Sequence, residues 1–89
     1  MIDKIKTCLR IDDNDFDQDI QDTIQAAMAD LEVSGVKKEK ILETDPLILR
    51  AIKIFCKAEY ATDEKESIRL KESYESLKIH LTLCAEYNS

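Results

Sequence analysis

Six aspartates, Asp12, Asp13, Asp15, Asp17, Asp19 and Asp22, crowd one short stretch of the chain and offer its most obvious chemistry. Alternating carboxylates are how calcium loops supply oxygen ligands, and Asp13, Asp15 and Asp17 occupy the first three ligand positions of an EF-hand. The frame then fails. Its sixth position is Gln18, where the turn requires glycine, and its twelfth is Ile24, where a bidentate glutamate closes the site. The aspartates therefore read as helix-capping groups and a solvated acidic face.

The remaining reactive residue types are sparse. His80 is the only histidine and has neither a second histidine nor a cysteine near it in sequence. Cys8, Cys56 and Cys84 are odd in number and far apart, with no CxxC pair, so reduced thiols packed as small apolar groups are expected. No GxSxG, P-loop, GxGxxG or HExxH pattern occurs, and a single glycine, Gly35, cannot build a phosphate cradle. Tyr60, Tyr74 and Tyr87 fit a core edge or an interface better than a catalytic site. Neither metal, cofactor nor catalysis is expected. The chain reads as a non-enzyme.

Charge narrows the function further. The first 35 residues hold nine acidic and three basic side chains, so they carry the whole formal charge of −6. Such a surface repels phosphate and disfavours nucleic-acid binding through a basic patch. A helix-turn-helix with Gly35 at the turn would start its recognition helix at Lys37, Lys38 and Lys40. That segment is short, stops at Asp45-Pro46 and follows the six aspartates, so DNA reading is not expected. No stretch approaches the roughly 20 apolar residues of a membrane span, and no signal pattern opens the chain, so the cytoplasm is the default compartment.

These residues must be positioned by helices. With 89 residues, 44% apolar and 36% charged, and only one glycine and one proline, the chain suits one compact all-α domain, residues 1–89. Ile2, Ile5 and Leu9 mark a short amphipathic helix, which the run Arg10–Asp15 breaks. Asn14 or Asp15 is the expected N-cap of a second helix, striped by Phe16, Ile20, Ile24, Ala27, Met28 and Leu31 and ended by Gly35. The connection from Val36 to Thr44 has room for one helical turn. Asp45-Pro46 starts a third helix whose apolar residues cover most of its circumference, as expected of a central element. So short a chain cannot hide all of that surface, so copies of the molecule are expected to cover part of it. Asp63 and Glu66, at capping-box spacing, open a last helix with a seam of Leu70, Tyr74, Leu77, Leu81 and Cys84. Ile68, Ile79 and Leu83 fall off that seam. They either complete the core or, with Ile48 and Ile52 of the central helix, form faces for self-association.

The order of these signals resembles the small all-helical head–tail connector, or adaptor, proteins of tailed bacteriophages. The resemblance begins at Ile5-Lys6-Thr7-Cys8-Leu9-Arg10-Ile11-Asp12, where a short helix ends in a Leu-Arg-Ile-Asp step before acidic residues. It continues through Asp19-Ile20-Gln21-Asp22-Thr23-Ile24-Gln25-Ala26-Ala27 and returns at Asp45-Pro46-Leu47-Ile48-Leu49-Arg50-Ala51-Ile52 and Ala58-Glu59-Tyr60. Tyr74-Glu75-Ser76-Leu77-Lys78 matches the closing segment more loosely. One departure is Ala61-Thr62-Asp63-Glu64, where the family has an Asn-Arg-type turn.

The resemblance implies a bundle of about four helices that forms a ring with copies of itself. That ring would sit between the portal and the tail-joining or head-completion proteins, at the virion neck, after synthesis in the host cytoplasm. Packaged DNA would pass through it without specific binding. On that reading Asp12, Asp13, Asp15, Asp17, Asp19 and Asp22 form an acidic lumen or a partner face. A second reading of the same acidic helices is an inhibitor-like or antitoxin-like regulatory module of a mobile element, using its acidic face to mimic DNA.

Overall fold

The computed structural model describes residues 1–88, and among them there are helices and no strand. In chain order the helices are α1 (Ile2–Leu9), α2 (Asp17–Ser34), α3 (Pro46–Tyr60), α4 (Glu64–Leu83) and the short α5 (Ala85–Asn88). A single 3-10 turn, Lys38–Lys40, lies in the connection before α3. The expected all-α bundle is the fold observed, with α5 added at its end.

Local chemistry sets most of the boundaries. Gly35 ends α2 at φ 123°, where its N–H donates to the Glu32 carbonyl and that of Val36 reaches back to the Leu31 carbonyl. This is a Schellman ending, whose backbone conformation side chains disfavour. Asp45 caps α3 by accepting from the N–H groups of Leu47 and Ile48 at 2.9 and 3.3 Å, with Pro46 as the first helical residue. Asp63 caps α4 through the Lys65 N–H at 3.2 Å. The start of α2 differs from expectation. Its N-cap is Phe16, with no side-chain cap, and of the two expected caps Asn14 is engaged elsewhere. Asn14 Oδ1 accepts from Lys6 Nζ, and Asp13 Oδ1 accepts from the Asp15 N–H in a local Asx turn.

α3 is the hub, packed against α1, α2 and α4. It contributes Ile48, Ala51, Ile52 and Cys56 to the core, all at 0% exposure. α2 adds the stripe Ile20, Ile24, Ala27 and Leu31, while α1 adds Ile5. From α4 come Tyr74 and Leu81, the buried members of the expected seam, and the Tyr74 ring meets Phe55 edge-on at 5.2 Å. Each fully buried Ile or Leu contributes about 1.5–3 kcal/mol, so this shared interior holds the helices in one arrangement.

The end of the chain is tied back onto that interior. α4 breaks at Cys84, and α5 buries Tyr87, whose hydroxyl donates to Asp45 at 2.8 Å. The Lys37 N–H donates to the Tyr87 carbonyl at 2.7 Å. A side chain 42 positions away thus steadies the same carboxylate that caps α3.

Candidate assembly surfaces

The acidic segment lies where α1 passes into α2. Asp12, Asp13, Asp15, Asp19 and Asp22 are exposed, and Asp17 is half-buried. Lys6 on α1 reaches over to Asp17 Oδ1 at 2.8 Å. Gln18 donates to Asp22 Oδ1 at 3.0 Å. α2 carries no basic side chain of its own, so its outer face is acidic at the N-terminal end. Among the described residues no group of three or more His, Cys, Asp or Glu is arranged to hold a metal ion.

A second surface runs along α4. Ile68, Ile79 and Leu83 are 50%, 55% and 79% exposed. At about 100° per residue their Cα positions fall within roughly 60° of arc, on the side of α4 away from Tyr74 and Leu81. The two residues of α3 grouped with them in sequence behave differently. Ile48 and Ile52 are wholly buried in the chain's own core, which removes them from any contact face of the folded subunit. An all-round apolar helix does not reveal from sequence which flank its own chain will cover. The flank α3 does leave open holds Leu47, 38% exposed, and the half-buried Ile54.

That open flank is basic as well as apolar, a feature missed in the sequence reading. Arg50, Lys53 and Lys57 recur at three- and four-residue steps along it, a helical stripe legible once the buried side of α3 is known. Two shallow grooves meet there. One runs beside Cys8 of α1, lined also by Leu47, Lys53 and Lys57. The other lies against α4, where Ser73, Ser76, Leu77 and His80 face Arg50 and Ile54. No ion pair engages Arg50, Lys53 or Lys57 among the described residues.

The other polar groups of note serve the fold. Asp30 on α2 accepts from the Tyr74 hydroxyl at 2.6 Å and pairs with Lys78 at 3.0 Å, clamping α2 to α4. Burial acts to raise the Asp30 carboxyl, but those two partners outweigh it and hold it below the usual value. Burial pushes the Cys56 thiol up to about 12, so it stays protonated and unreactive at neutral pH. No helix among the described residues is long and apolar enough to cross a membrane.

Comparison with known proteins bears on these surfaces. No curated protein and no solved structure matches the chain. A family model does, described as phage connector protein, and it covers residues 1–88. A match of that extent is decisive: the chain, all-helical among its described residues, belongs to the phage connector protein family.

Proposed function

We propose that the protein is a non-enzymatic subunit of the phage neck, forming a ring between the portal and the tail-joining proteins and giving DNA a passage between head and tail. The observation that carries this reading is the family match over essentially the whole chain, which makes a structural connector role in the virion its general function. Contact with other head and tail proteins follows from that membership. The exposed stripe Ile68, Ile79 and Leu83 supports assembly, because such apolar area is stabilised by being covered. The acidic segment Asp12–Asp22 suits either the wall of a channel, which must not grip duplex phosphates, or a face turned to a partner.

The test is assembly with the portal of the same phage, followed by electron microscopy and light scattering. Rings seated on the portal are the expected result. Replacing Ile79 and Leu83 together by aspartate should weaken the seating of rings on the portal while leaving the helical content intact. A protein that stays monomeric on its portal at all concentrations would refute the proposal.

A further inference from the structure

On the ring reading, we infer that neighbouring copies join head to tail, the outer face of α2 on one copy lying in the basic groove of α3 on the next. Closed rings of identical subunits need a heterologous contact, in which two different faces of each copy meet. The groove supplies one: Leu47, Arg50, Lys53, Ile54 and Lys57, bordered by α1 and α4. α2 supplies the other. Asp22, Ala26, Ala29 and Val33 share its outer side with Asp19 at the edge, turned away from the core stripe Ile20, Ile24, Ala27 and Leu31. α2 and α3 pack against each other, and each buries its own core stripe, so each outer face is turned away from that shared interior.

A second copy is the occupant because both the charges and the lengths agree. α2 has no basic side chain, and of its five acidic ones Asp17 and Asp30 are paired with Lys6 and Lys78, leaving Asp19, Asp22 and Glu32, whereas α3 has three basic ones and a single acid, Glu59. The α2 face runs from charged to apolar, while the α3 face opens on Leu47 and then carries Arg50, Lys53 and Lys57, with Ile54 among them. On α2 the carboxylates Asp19 and Asp22 come first and Val33, 87% exposed, comes last. On α3 Leu47 comes first and Lys53 and Lys57 come later. Laid antiparallel, acid meets base while Val33 meets Leu47. At 1.5 Å per residue Asp22 to Val33 spans about 16 Å and Leu47 to Lys57 about 15 Å, so both ends register at once.

The experiment uses two double variants, Asp19→Lys with Asp22→Lys, and Lys53→Glu with Lys57→Glu. Sedimentation is measured for each alone and for their mixture, alongside wild type treated with a carbodiimide that joins carboxylates to amines. Each variant alone should associate about tenfold more weakly than wild type or worse, since like charges then meet at the contact. Their equimolar mixture should recover association, because each face again finds its opposite. Mass spectrometry should find Asp19 or Asp22 joined to Lys53 or Lys57 between different copies. Wild-type oligomers with both variants assembling normally would overturn this contact and leave the ring standing. Joined pairs in open filaments or dimers would uphold the contact and remove the ring. Wild type that never associates, even on the portal of its own phage, would overturn both. A groove that instead retains duplex DNA, sensitive to Lys53→Glu and Lys57→Glu with no self-contact, would overturn the inference as well.

Discussion

At the scale of single residues, Asp30 shows how one carboxylate can decide where two helices sit. It is exposed enough to be solvated, with 38% of its side chain accessible, yet it takes both the Tyr74 hydroxyl and the Lys78 ammonium. Its folded value lies below 3.8, the ordinary one, because the charged form is the one these partners bind. A depressed carboxyl contributes stability above its unfolded value and loses it as pH falls through its folded value. Asp30→Asn should therefore cost about 1 kcal/mol at neutral pH, a figure discounted for solvent screening. Denaturant titrations of the two proteins should converge as pH falls below 3.8. A difference that persists unchanged through that range would show that the clamp works by shape rather than by charge. None of this was legible in the sequence. Asp30 and Tyr74 lie 44 positions apart, and nothing local to either one marks the other.

At the scale of elements, the helix ends were the most legible features, since a cap is written in two or three adjacent residues. Gly35 and Asp45-Pro46 act where the sequence placed them. The start of α2 was misjudged by one or two positions, and one of the two expected caps, the Asn14 amide oxygen, accepts from Lys6 instead. α5 was missed, as only packing against Asp45 and Lys37 distinguishes it from a frayed tail. The two left-handed helix ends give a paired prediction. Arg10 closes α1 at φ 59° with the same bonds that Gly35 makes, the Ile11 N–H reaching the Lys6 carbonyl at 3.0 Å. A side chain in that conformation is strained, so Arg10→Gly should stabilise the protein by about 0.5–1 kcal/mol. Gly35→Ala should do the opposite and cost about 1–2 kcal/mol. The added methyl group would meet Thr82 at 3.9 Å, an ordinary van der Waals contact, so the cost is backbone strain and not a clash. Thermal unfolding reads both, and equal effects of the same sign would contradict the argument.

At the scale of the whole molecule, two electrostatic effects compete when copies meet. Every copy carries a net charge of −6, which repels its neighbours. The acidic face of α2 and the basic groove of α3 attract at contact distance. Distance separates the two. The molecule measures 39 × 27 × 19 Å, so net charges on adjacent copies act over some tens of ångströms, whereas paired side chains act over a few. Near 0.15 M ionic strength the screening length is about 8 Å, which suppresses the repulsion and spares the contact. At 0.01 M it lengthens to about 30 Å and the repulsion returns; at 1 M it shortens to about 3 Å and the contact weakens. Self-association measured by sedimentation should therefore peak at intermediate salt and fall on both sides. Replacing Asp12 and Asp13 by asparagine reduces the net charge without touching the α2 face, so it should flatten the low-salt side alone. Association that strengthens steadily towards 1 M would mean that apolar burial along α4, and not charge, holds the copies together.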